Sequence, residues 1–151
     1  IHSDFHARLS AKGKEYRYFV WNSDVVPPFL YRYRTKVPGK LQIERMRSAA
    51  QYLTGEHDFR AFSVNPDRSV ESYVREIRKL AISKRGSEIV ISVEGNGFLY
   101  KMVRSIVGHL IRVGEGRILP EQTQDILESR RRTAVVQTAP PQGLFLWNVS
   151  Y

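Results

Sequence analysis

The chain has 151 residues, 42% hydrophobic and 26% charged, the make-up of one folded domain able to bury roughly 70% of its unfolded surface. Its 24 Lys and Arg against 15 Asp and Glu leave a net charge of +9 and a pI near 10.0, a surplus that attracts polyanions, nucleic acid before anionic membrane. There is no Cys, which excludes disulfides, thiolate chemistry and Cys-ligated zinc and suits a cytoplasmic protein, and no run of 18 apolar residues that would span a bilayer.

The chain opens Ile1-His2-Ser3-Asp4, with no initiator Met and no basic-then-apolar leader, and is expected to be a piece of a longer protein. Glu15 to Trp21 alternates and is rich in aromatic and β-branched residues, which predicts a strand. Asn22-Ser23-Asp24 and Pro27-Pro28 mark a loop, and Tyr31 to Val37 reads as a second, short strand carrying several cations. A helix is expected from Gln42 to Leu53, where Ile43, Met46, Ala49, Ala50 and Leu53 recur at helical spacing, with Gly55 at its C-terminal end. Glu56 to Asp67 reads as loop with a short helical turn. Tyr73 to Ser83 and Glu88 to Glu94 are predicted strands, joined at Arg85-Gly86-Ser87 as in a hairpin.

The strongest helical pattern runs from Gly97 to Val113, with Met102, Val103, Ile106, Val107, Leu110 and Val113 on a broad apolar face. Lys101, Arg104, Gly108 and Arg112 trace a second stripe at steps of three and four. Pro120 is expected to open a third helix to about Ser129, and Leu144 to Tyr151 a final strand. This order of elements predicts a single α+β domain, an antiparallel or mixed sheet with two or three helices mainly on one face.

Several chemistries are disfavoured by pattern. His2, His6, His57 and His109 show no metal-ligand spacing and no HExxH is present, so no metal site is expected. Neither G-x-S-x-G nor a phosphate-binding G-x-x-x-x-G-K-[ST] loop occurs. Gly95-Asn96-Gly97 sits at a predicted strand-to-helix connection, where backbone N–H groups can also meet a phosphate. In Tyr16-Arg17-Tyr18, strand geometry puts both rings on one face and Arg17 on the other. Such a pair is either a core feature or, beside cations, a platform for RNA bases. Arg104, between Val103 and Ile106, lies either at the solvent boundary or against a buried carboxylate.

Taken in order, Phe5-His6-Ala7-Arg8, Lys14-Glu15-Tyr16-Arg17-Tyr18, Gly55-Glu56-His57-Asp58-Phe59, Asn96-Gly97-Phe98-Leu99 running into Met102-Val103-Arg104-Ser105-Ile106-Val107-Gly108, and Gly143-Leu144-Phe145-Leu146 are similar to the TruA-type tRNA pseudouridine synthase family. The resemblance covers essentially the whole chain and corresponds to the family's C-terminal half. It implies isomerisation of uridine to pseudouridine in the anticodon stem-loop of tRNA, without metal or organic cofactor, by a cytoplasmic homodimer. It also implies roles: Tyr16 stacks on the target base and takes the proton from carbon 5, Arg104 pairs with the catalytic Asp, and Leu144 packs around the base. Arg17 and Tyr18 belong to the same substrate-binding segment.

The family carries its catalytic Asp in an Arg-Thr-Asp segment. Here the Asp residues are Asp4, Asp24, Asp58, Asp67 and Asp125, and none follows Arg-Thr. Asp58 reads as a loop or capping residue. The chain is therefore expected to supply half of an active site, with the carboxylate outside it. The alternative is a non-catalytic RNA-binding module with an aromatic and basic sheet face, although neither RNP consensus is present.

Overall fold

The computed structural model describes residues 11–64 and 70–151; the Phe5-His6-Ala7-Arg8 segment, Asp4 and Asp67 lie outside them. A long first strand, β1 (Gly13–Trp21), runs through the sheet beside a hairpin of β4 (Val74–Arg85) and β5 (Glu88–Gly95), with β3 (Gly55–Asp58) at the far edge. The hairpin closes through Gly86 and Ser87, with Arg85 opposite Glu88 and Gly86 at φ +62°, as a two-residue turn requires. The other edge of β1 is divided. Gly13 to Tyr18 pair antiparallel with β6 (Leu144–Ser150), while Val20 and Trp21 pair parallel with the two-residue β2 (Thr35–Lys36). The result, among the described residues, is a mixed six-stranded sheet with three helices, an α+β fold as expected.

The helices are α1 (Ile43–Leu53), α2 (Met102–Gly114) and α3 (Gln122–Ser129). They cover one face. Along β5, Ile89, Ile91 and Val93 have no exposed surface, whereas Val90, Ser92 and Glu94 between them keep some, the alternation of a half-covered sheet. Beneath the helices lie Tyr18, Val20, Met46, Leu53, Phe59, Phe62, Ile77, Met102, Ile106 and Leu110. Gly114 lets α2 approach α1, since a Cβ there would stand 2.6 Å from Met46 Sδ.

Several boundaries differ from the sequence reading. Helix α2 begins at Met102 rather than Gly97, because Lys101 takes a left-handed conformation (φ 57°) and Met102 N–H closes a turn onto Leu99 O at 3.0 Å. Successive turns at Pro27–Leu30 and Leu30–Tyr33 shorten the expected strand over 31–37 to β2. Glu56 to Asp58 form a strand rather than loop, because the edge of β4 offers them a ladder; the helical turn expected nearby is the 3-10 turn Arg60–Phe62. Pro120 precedes α3 by two residues, and the glycine after α1 is one residue past Thr54, its C-cap, at φ +106°.

Candidate active site

The division of β1's edge creates the site. At Tyr18 the β6 ladder ends and β2 is about to begin, so chain enters there from two directions. Tyr18 has no exposed surface. Its hydroxyl donates to Pro140 O at 2.6 Å and meets Thr35 Oγ1 at 2.5 Å. A phenol has one proton to give, so Thr35 is the donor in the second bond. Burial raises the Tyr18 pKa above 10.0, against the opposing pulls of the Thr35 hydrogen bond and the Arg104 charge, and keeps the phenol a donor. The ring lies against the backbone at Gly143, where a Cβ would come within 2.9 Å of it. Tyr18 is thus a core residue with bonded termini. The expectation that it presents a stacking face to RNA is corrected: a ring with no exposed surface has no room for a base.

Two residues earlier, Tyr16 shares the Tyr18 face, roughly 7 Å along the strand. It is half-buried, with its ring edge-to-face with Phe98 at 5.3 Å. Phe98 belongs to the turn between β5 and α2 and packs on the same core. Leu144 stands opposite Tyr18 in the β1–β6 register, and Leu146 opposite Tyr16. Cross-strand partners project to one face, so both leucines flank the tyrosines there; Leu144 is half-buried and Leu146 is 53% exposed.

Arg104 approaches from α2. Its Nε donates to Ala139 O at 2.7 Å, and Ala139 N–H donates back to Arg104 O at 2.9 Å. The guanidinium lies near enough to Tyr18 to act on it electrostatically. Among the described residues no carboxylate pairs with it. Arg104, Tyr18 and Leu144 therefore meet around one stretch of chain, Ala139 to Gly143, with Tyr16 next along the strand.

Arg17 goes the other way. Its Nε is 2.6 Å from Glu15 Oε2 and its guanidinium stacks over Trp147 at 4.3 Å. That face of the sheet carries a second cluster. Phe19 packs edge-on against Phe145 at 5.6 Å, Tyr33 lies 6.4 Å from Phe145, and Arg34 covers Phe19 at 4.2 Å while bridging to Glu88. Phe145 is consequently not a neighbour of Tyr16's ring face. The alternation of Leu144 and Leu146 with Phe145 and Trp147 was the sequence signal for this second face.

The strap after α3 carried no such signal. Arg132 donates to Ser105 Oγ at 2.7 Å and Thr138 Oγ1 at 2.8 Å, and burial lowers its pKa. Asp58 ends β3, where Oδ1 accepts from Arg60 N–H at 3.0 Å, the local turn bond of a loop Asp. It lies with Arg130, His57 and Tyr52 around an open depression of about 580 Å³ between α1, β3 and α3, lined by none of the β1 or α2 residues above. No group of three His, Asp or Glu side chains among the described residues is arranged to hold a metal ion.

Residues 49–151 match the model of a family described as tRNA pseudouridine synthase. The chain belongs to that family. The pseudouridine synthase relatives extend across the whole sequence: it is 42% identical over 151 residues to tRNA pseudouridine synthase A 2 of Bacillus anthracis, covering all of this chain and 61% of the relative. It is 42% identical over 151 residues to tRNA pseudouridine synthase A of Brevibacillus brevis, covering 62% of it. Against tRNA pseudouridine synthase A of Oceanobacillus iheyensis it is 44% identical over 148 residues, 98% of this chain and 58% of the relative. The chain thus spans about three fifths of the length of these curated relatives. No helix among the described residues is long and apolar enough to cross a membrane.

Proposed function

We propose that this chain is the C-terminal half of an enzyme that converts uridine to pseudouridine in the anticodon stem-loop of tRNA. It supplies one wall of the active site and of the RNA-binding cleft. The observation that carries the reading is Arg104, held through Nε alone by Ala139 O and facing no described carboxylate. A guanidinium aimed this way is ready to hold an incoming carboxylate through its remaining N–H groups. That carboxylate belongs to an Asp following Arg-Thr, a segment that none of the 151 residues provides.

In this reading the target nucleotide is taken out of its stack, at a cost of a few kcal/mol, and its base lies on the ring of Tyr16, with Leu144 beside it. Stacking returns about 1–3 kcal/mol. The Asp, kept ionised and oriented by Arg104, starts the reaction. The bond between C1′ of ribose and N1 of uracil breaks, the freed uracil turns over, and C5 bonds to C1′. The C5 proton is taken up at the Tyr16 oxygen as the phenol passes its own proton on through solvent to N1. C5 thus loses one proton and N1 gains one, so the product is an isomer of the substrate and no cofactor is consumed. Arg17 and the cations around it serve phosphate rather than base, since they occupy the opposite sheet face. The whole protein is proposed to be a cytoplasmic homodimer, and residues 1–151 one domain of it; light scattering on the full-length protein tests the dimer.

Tritium release from tRNA labelled at carbon 5 of uridine tests the activity. The full-length protein should release tritium and the 151-residue chain alone should not. Turnover by the isolated chain means the initiating carboxylate lies within these residues and the reading is wrong.

The rival reading, a non-catalytic RNA-binding module, is favoured by a different observation: Trp147 and Tyr33 are each about half exposed, Tyr31 and Phe29 more so, beside Arg17 and Arg34. Its stacking residues would be these rings rather than Tyr16 and Tyr18. Tight tRNA binding by a full-length protein that releases no tritium would favour it.

A further inference from the structure

The strap from Gln137 to Gly143 is clamped at more points than closing a loop requires. At one end Gly108 of α2 admits it: a Cβ on Gly108 would stand 1.9 Å from Gln137 O and 3.2 Å from Ala139 N. Arg132 holds Thr138 and, through Ser105, ties it to the first turn of α2. Ala139 exchanges two hydrogen bonds with Arg104. The next residue, Pro140, gives its carbonyl to Tyr18, whose oxygen is in turn bonded by Thr35. At the other end Gly143 lies on the Tyr18 ring.

Arg104 has one described side-chain partner, a carbonyl on this strap. Wherever Ala139 O sits, the guanidinium follows. The adjoining peptide is fixed from the sheet side by one phenol, so the direction of Arg104 depends on a hydroxyl that never meets solvent. We propose that Tyr18 is a positioning residue for Arg104: with Thr35 behind it, it anchors Pro140 and thereby aims the guanidinium. This rests on the reading in which Arg104 orients the initiating carboxylate.

A purely structural Tyr18 makes different predictions from a positioning one. The test uses the full-length protein with Tyr18→Phe, which keeps the ring and removes only the hydroxyl. Thr35→Val and Thr35→Ser remove and keep the second hydroxyl, and Gly108→Ala displaces the strap from the helix side. Two quantities are read: kcat and KM for pseudouridine formation on tRNA, and hydrogen exchange of the Arg104 Nε–H by nitrogen-15 NMR. Tyr18→Phe should lower kcat about tenfold, the scale of one lost hydrogen bond, leave KM within about twofold, and speed Nε–H exchange by a similar tenfold factor. Thr35→Val should move both readouts in the same direction and Thr35→Ser should restore them. Gly108→Ala should speed the exchange more than Tyr18→Phe.

Unchanged exchange at Nε in Tyr18→Phe overturns the proposal, as does a Tyr18→Phe kcat loss that tracks only a lower folded fraction, or a Thr35→Val loss that Thr35→Ser shows equally. A full-length wild type that makes no pseudouridine, or full activity in Arg104→Ala, sinks the assigned role of Arg104 instead. In that case the Nε–H exchange still decides whether Tyr18 holds the side chain.

Discussion

His109 provides a stability test that needs no substrate. It lies on α2 with no exposed surface. Nε2 is 2.8 Å from Thr123 Oγ1 on α3, and Phe62 packs edge-on at 5.6 Å. Nδ1 is buried without a partner. The neutral tautomer with hydrogen on Nε2 suits this environment, since it donates to Thr123 and leaves no orphaned donor at Nδ1. Burial first, and the charge of Arg112 second, lower the His109 pKa from 6.5 to about 4. The sign follows directly. Below 6.5 the unfolded chain takes up a proton that the folded protein refuses, so stability falls as the pH drops and stops falling below about 4. The lost stability from this one group is about 2 kcal/mol at pH 5 and about 3 kcal/mol at pH 4, relative to neutral pH. Urea unfolding of wild type and His109→Leu at pH 7, 5 and 4 measures it. The leucine variant loses the Thr123 bond and is less stable at pH 7, but the gap should close as the pH falls, because it has no proton to refuse. Parallel pH curves for the two proteins would refute the argument, as would an imidazole that titrates near 6.5 by NMR.

Three further outcomes concern the proposed chemistry in the full-length protein. Arg104→Ala should lower tritium release at least about 100-fold, since breaking a buried pair costs about 3–5 kcal/mol, with tRNA affinity changed far less. Tyr16→Phe keeps the contact with Phe98 and the stacking face; its melting temperature and tRNA affinity should hold while tritium release falls about 100-fold or more, the scale of a lost acid–base group. Binding of tRNA should weaken about 100-fold between 50 and 200 mM salt if about four phosphates are neutralised, and a flat response would count against a phosphate-facing surface on a chain of charge +9.

Much of the fold is legible because the relevant signals are local. The alternation of Ile89, Ile91 and Val93 becomes the buried side of β5, and Gly86-Ser87 becomes a two-residue turn. The helical spacing of Met46, Ala49, Ala50 and Leu53 becomes the buried side of α1. What is missed depends on distant partners. Gly55-Glu56-His57-Asp58 has little strand character of its own and becomes β3 because β4 has a free edge beside it. The helical pattern before Met102 is broken by a left-handed Lys101, a residue type that gives no warning of that conformation.

The site divides in the same way. Alternation along β1 correctly separates Tyr16 and Tyr18 from Arg17, yet the two tyrosines look equivalent in sequence and are not. The difference arises because β6 ends opposite Tyr18, so Thr35 and Pro140 converge on its hydroxyl from segments 17 and 122 residues away. Tyr16, one step back, is opposed by Leu146, which is still strand and half exposed. One phenol therefore has its hydrogen-bonding capacity used inside the fold, while the other contacts only the Phe98 ring among the aromatic partners described. Under the proposed function this asymmetry gives a repeated residue separate work, Tyr16 to meet substrate and Tyr18 to hold the strap that Arg104 grips. A Tyr18→Phe defect should accordingly resemble a mild Arg104 defect rather than a Tyr16 defect. Combining Tyr18→Phe with Arg104→Ala should cost little beyond Arg104→Ala alone, because both act through one guanidinium. Full additivity in that double-mutant cycle would mean that Tyr18 affects the reaction by another route.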